Sequence, residues 1–97
     1  MLTSKQRSHL ASLAQDLPDL VQLGKGGKSQ ALVAQLDRLL ASHELVKLRF
    51  SGFKKEREEL SRLLASETGS ELVRLIGNTA IFWKRQADPE KRKIELE

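Results

Sequence analysis

Six consecutive residues, Gly24-Lys25-Gly26-Gly27-Lys28-Ser29, combine the properties an anion-gripping loop requires. Glycine can take positive φ and bring its backbone close to a ligand. Lys25 and Lys28 supply charge, and the amides that open the following helix point outward as donors. The anion this suggests is a phosphate, and two loop patterns compete for it. The nucleotide-binding pattern G-x-x-x-x-G-K-[ST] is met at its end by Gly27-Lys28-Ser29, but its first glycine would fall on Gln22. Nucleotide hydrolysis also calls for an acidic residue ending a second buried strand to hold magnesium, and the next strand carries Lys47 and Arg49 instead. The shorter G-x-x-G pattern, met by Gly24-Lys25-Gly26-Gly27, is the clamp with which KH-type domains hold a run of nucleotides. Taken alone it is a weak signal, more often an ordinary glycine-rich connection with Ser29 as helix N-cap.

The hydrophobic pattern delimits the elements that must position this loop. Thr3 or Ser4 can cap a first helix to about Gln15, with Leu10, Leu13, Ala14 and Leu17 at helical spacing before Pro18. Leu20–Leu23 reads as a short strand, and the loop follows it directly. From Ser29 to near His43, Leu32, Val33, Leu36, Leu39 and Leu40 mark a second helix. Val46, Leu48 and Phe50 then alternate with Lys47 and Arg49, the period of a strand with one buried face and one basic, wet face. Ser51-Gly52 turns into a third helix with a stripe of Leu60, Leu63 and Leu64, Phe53 packing at its start, and Lys54 and Lys55 as candidate phosphate contacts. Gly69 is its C-cap. Strands over about 70–76 and 79–85, joined by Gly77-Asn78, form a hairpin. The order is a helix followed by βαβαββ. This predicts an α/β (α+β two-layer) fold, a mixed four-stranded sheet with helices packed on it and right-handed crossovers.

At 97 residues, the chain builds one core, and a two-domain catalytic cleft is disfavoured. Residues 1–86 are expected to form the domain, and 87–97, with Asp88-Pro89-Glu90 and Lys91-Arg92-Lys93, a loose tail. Seventeen Lys and Arg against thirteen Asp and Glu give a net charge of +4, which favours a polyanionic partner if it is segregated on the surface. There is no cysteine, so thiolate metal sites and cysteine nucleophiles are excluded, and a reducing, cytoplasmic setting is expected. His9 and His43 are too few for a zinc site. No serine, histidine and acid recur as a nucleophile with its base. The expectation is a protein without enzymatic activity, metal or cofactor, and a monomer.

Four separated segments carry a family resemblance. They are Leu23-Gly24-Lys25-Gly26-Gly27, His43-Glu44-Leu45-Val46-Lys47-Leu48, Glu67-Thr68-Gly69 and Leu75-Ile76-Gly77-Asn78-Thr79. Together, over about Ser4 to Arg85, the chain resembles the CRM domain (chloroplast RNA splicing and ribosome maturation), in particular its stand-alone bacterial, YhbY-like members. The resemblance implies an RNA-binding module with a fold similar to the C-terminal domain of a bacterial translation initiation factor. It also implies ribosomal RNA in large-subunit precursors as partner. It places the clamp on Gly24, Lys25, Gly26 and Gly27, flanked by Lys28. The pattern departs at the end of the last strand, where a tyrosine-arginine pair is replaced by Trp83-Lys84-Arg85, and Trp83 can be either a stacking or a core residue. Lys47, Arg49, Arg74, Lys84 and Arg85 are expected as a second positive surface, or as solubilising residues of half-exposed strands. The rival expectation is an adaptor that docks on a protein through the leucine-bearing first helix, for which an enlarged exposed apolar patch is the mark.

Overall fold

The structure, a computed structural model, describes residues 2–96. Three helices and four strands follow in the expected order: α1 (Ser4–Ala14), β1 (Asp19–Leu23), α2 (Gln30–His43), β2 (Leu45–Phe50), α3 (Arg57–Thr68), β3 (Glu71–Ile76) and β4 (Thr79–Trp83). The sheet is mixed, in the order β1-β2-β4-β3, with β1 parallel to β2 and the other pairings antiparallel. Local chemistry sets the boundaries. Thr3 and Gln6 form a reciprocal capping box at the start of α1. Ser29 Oγ accepts from the Leu32 N–H at 3.1 Å to start α2, and Gly69, at φ 66°, closes α3 in the left-handed conformation.

Two apolar clusters lie on opposite faces of the sheet. Leu36 and Leu40 of α2 and Leu64 of α3 pack against Val21, Leu23, Val46, Leu48, Phe50 and Phe82. On the other face Leu10, Ala11 and Ala14 of α1 meet Leu45, Val73, Ile81 and Trp83. The expected two layers are therefore joined by a partial third, because β2 and β4 bury residues on both faces. Trp83 is a core residue, 8% exposed.

Two packing expectations change. Leu63 is exposed, and Ser61 and Ala65 are buried beside Leu64 instead. Leu13 and Leu17 also stay exposed, because α1 rests on its smaller Ala11 and Ala14 side. In β3 the pairing shifts register between Leu72 and Arg74. This bulge breaks strict alternation, so that Val73 joins the α1 cluster while Leu72 and Leu75 both pack on the α2–α3 side. Arg7 of α1 donates Nη1 to the carbonyls of Leu72 and Val73, holding the bulged edge.

The segment after β4 is tied down, unlike the loose tail expected. Ile94 and Leu96 pack against the α1 cluster. Glu44, which ends α2 at φ 62°, is 1% exposed, and its carboxylate accepts from the backbone N–H groups of Gln86, Lys93 and Ile94. Its carbonyl accepts from Lys84 N–H at 2.8 Å. A carboxylate acceptor strengthens each of these bonds, typically to about 1.5–3 kcal/mol. Glu44→Ala should therefore destabilise the fold by about 2 kcal/mol in urea unfolding. It should also speed amide exchange at Gln86, Lys93 and Ile94; unchanged exchange there would mean that the carboxylate does not hold the segment.

Candidate functional site

The glycine loop begins where β1 ends. Gly27 N–H donates to Gly24 O at 2.9 Å, closing a tight turn, and Gly27 sits at φ 65°. A side chain on Gly27 would meet the Phe53 ring at 3.5 Å, whereas one on Gly24 or Gly26 would meet nothing within 4 Å. Gly27 is thus required by the backbone. Gly24 and Gly26 are not, and what they provide is bare peptide facing open space, the surface on which a phosphate could sit closely. Lys25 is exposed at the tip.

A second loop is locked to the first. Ser51 N–H donates to Leu23 O at 2.9 Å, and Phe53, itself at φ 58°, sets its ring against Gly27. This packing carries the exposed Lys54-Lys55 turn up to the clamp. Arg57 is the tie to a third loop. Its Nε donates to Gly52 O and its Nη1 to Gly77 O, both at 3.2 Å. Sequence spacing gave no signal for this role, since its acceptors lie five and twenty residues away.

The sheet register continues this surface. On the α1 face one row across the strands reads Gln22, Arg49, Thr79, Ile76, and the next reads Asp19, Lys47, Ile81, Arg74. The first row lies beyond the residues that α1 buries. Gln22, Arg49, Ser51, Arg57 and Asn78 line one polar hollow between this row and the loops. Lys47, half-buried, donates Nζ to Leu17 O at 3.0 Å.

Three further cations singled out in the sequence are held by other groups of the protein. Lys28 binds both carboxylate oxygens of Glu67, at 2.7 and 2.8 Å. Partly exposed pairs of this kind contribute about 0–1 kcal/mol, so a phosphate can compete for Lys28. Lys84 faces α2 and α3: its Nζ donates to Thr68 O at 2.9 Å, at the negative end of α3, and lies 3.5 Å from Asp37. Arg85 lies over the Trp83 ring, 5.8 Å from its centroid. Thr79, at one end of β4, pairs with Arg49, and Trp83, at the other end, pairs with Leu45. Lys84 and Arg85 are therefore at the end of the sheet away from the glycine loop, separated from it by about 17 Å of strand. Among the described residues no group of three or more His, Cys, Asp or Glu could hold a metal ion.

Substitution at the three glycines separates fold from ligand binding. Gly27→Ala should lower stability by about 1 kcal/mol, the cost of a left-handed residue with a side chain. Gly24→Ala and Gly26→Ala should leave thermal unfolding unchanged; a loss of stability in either would make the loop's glycines a requirement of folding.

Comparison with known proteins places this arrangement. The CRS1/YhbY (CRM) domain model matches residues 2–84. The probable RNA-binding protein YqeI of Bacillus subtilis is 33% identical over 97 residues, covering 99% of each chain. An RNA-binding protein of Haemophilus influenzae is 30% identical over 96 residues, covering 98% of this chain and 94% of its own. The solution structure of SAV1595 from Staphylococcus aureus, described as a candidate RNA binding protein, superposes with a TM-score of 0.80 at 32% identity, covering 98% of this chain and 100% of that one. Shared sequence over nearly the whole length, and a shared fold, lead to one conclusion: the chain belongs to the CRS1/YhbY (CRM) domain family.

Proposed function

We propose that this protein is a non-catalytic RNA-binding module that holds its ligand chiefly by phosphates. The observation that carries the reading is the union of bare peptide at Gly24 and Gly26 with the exposed cations Lys25, Lys54, Lys55 and Arg49 at one end of the sheet. Loop amides and lysines would grip successive phosphates there, and the strip of Lys47, Arg49 and Arg74 would extend the grip across the open sheet face. The RNA-binding names of its relatives support the same reading. Phosphate contacts fix position and register and carry no base sequence.

The finer proposal is that the RNA is ribosomal, within precursors of the large subunit, and that the protein assists assembly as a cytoplasmic monomer. Residues 1–86 would be the binding domain, with the following segment contributing Ile94 and Leu96 to its packing. Sedimentation of extract through sucrose at low and high salt tests this: the protein should travel with the large-subunit precursor and be released by salt. Recovery only at the top of the gradient at low salt would remove the ribosomal partner.

A second reading, a protein-docking adaptor, is favoured by Leu13, Leu17 and Leu20, which are 40%, 38% and 38% exposed. Leu13→Ser with Leu17→Ser should leave RNA affinity unchanged if the two surfaces are separate.

For RNA binding itself, Lys25→Glu or Arg49→Glu should weaken binding of a short single-stranded RNA at least about tenfold. Each should also flatten the slope of log K against log salt by about 0.7 for every phosphate the protein no longer neutralises. Lys84→Met should lower stability and leave affinity within about twofold, because Lys84 is spent on α3 and Asp37. Equal affinity for wild type, K25E and R49E in fluorescence anisotropy would overturn the loop and strip as the binding surface.

A further inference from the structure

Between α1 and the sheet, beside the open row of strand residues, runs a groove of about 300 Å³, the lower end of the range for small-ligand sites. Its apolar lining is the exposed Ile76 together with Ala11, Ala14 and Ile81, which are buried beneath it. Its α1 rim carries Ser8, Ser12 and Gln15, and its sheet rim Lys47, Arg74 and Thr79.

We propose that this groove receives one unstacked nucleobase of the bound RNA. The inference rests on the RNA-binding reading above and assigns the base recognition that a phosphate grip does not provide. Three observations favour a heterocycle over another phosphate. The apolar lining, with Ile76 exposed, suits a ring and not an oxyanion. The α1 rim offers hydroxyl and carboxamide groups that both donate and accept, as the edge of a base requires, whereas a phosphate presents only acceptors. Arg74 makes no hydrogen bond or ion pair among the described residues, and its planar guanidinium is free to lie on the ring face, a mode single-stranded RNA readers use where aromatic residues are scarce. The exposed aromatic platform common in such proteins does not form on the α1 face of this chain, because Trp83 is buried in the core. The sheet register supplies continuity. Lys47 and Arg74 flank Ile81 in one row, and Arg49 stands in the adjacent row that leads to the glycine loop. A strand gripped at Gly24–Gly27 and crossing Arg49 would reach the groove within a few nucleotides.

The test compares a short oligouridylate and oligoadenylate with an abasic ribose-phosphate strand of equal length, by fluorescence anisotropy at two salt concentrations. Wild type should bind the better base-bearing strand at least about tenfold more tightly than the abasic strand, a difference of ~1.4 kcal/mol. Ser12→Trp, on the exposed rim, should block the groove and bring the two to within about twofold while the salt slope is kept. Arg74→Gln, which also removes a charge from the phosphate strip, should weaken the base-bearing strand more than the abasic one without disturbing the fold, which circular dichroism checks for both variants. If wild type binds base-bearing and abasic strands equally and with strong salt dependence, the groove proposal is overturned and the phosphate reading stands. A base preference that survives in both variants also overturns it. Failure of every strand to bind would overturn both.

Discussion

The arrangement depends on how one short helix covers one face of a four-stranded sheet. An eleven-residue helix is about 16 Å long and about 10 Å wide, while four strands span roughly 15–19 Å across and about 17 Å along. α2 and α3 together bury the first face, and α1 alone can bury only about half of the second. It takes the half where Leu45, Val73, Ile81 and Trp83 stand. The other half must tolerate water, and the chain places Gln22, Arg49 and Thr79 there. Exposed backbone at the loops, an open sheet face and uncommitted cations therefore coincide at one end of the molecule.

Charge alone would not single out this end. Of the cations the sequence offers, Lys84 holds the end of α3, Lys28 is matched to Glu67, and Arg57 ties two loops together. What remains exposed near the glycine loop is Lys25, Lys54, Lys55 and Arg49. A net charge of +4 is modest over the whole surface, and what distinguishes the loop end is that these four cations are exposed together there, while Lys84 and Arg85 at the other end are held by Thr68 and Asp37 and by the Trp83 ring.

Two strained backbones stabilise this geometry at opposite ends of the sheet. Phe53 adopts φ 58° and in doing so lays its ring on Gly27. Glu44 adopts φ 62°, and its buried carboxylate collects three backbone amides from the chain after β4. Each such conformation costs about 1–3 kcal/mol and persists because the interactions it enables offset that cost. The first fixes the loop, and the second fixes the segment that completes the α1 cluster with Ile94 and Leu96.

Much of this was legible in the sequence, and the boundary is physical. Periodicity, caps and turn residues act over a few positions, so the order of elements, the N-cap at Ser29, the C-cap at Gly69 and the hairpin at Gly77-Asn78 could be read directly. The glycine loop between β1 and α2 was equally plain. Tertiary structure decided what depends on partners distant in the chain. Lys28 meets Glu67 across 39 residues and Lys84 meets Thr68 across 16, so no local pattern tells a free lysine from a committed one. The β3 bulge, which moves Val73 to the α1 side, follows from Arg7 65 residues away as much as from β3 itself. Local sequence determined which elements exist and where the loop lies. Which faces are covered, and hence which charges are left to meet a ligand, was decided only when those elements packed.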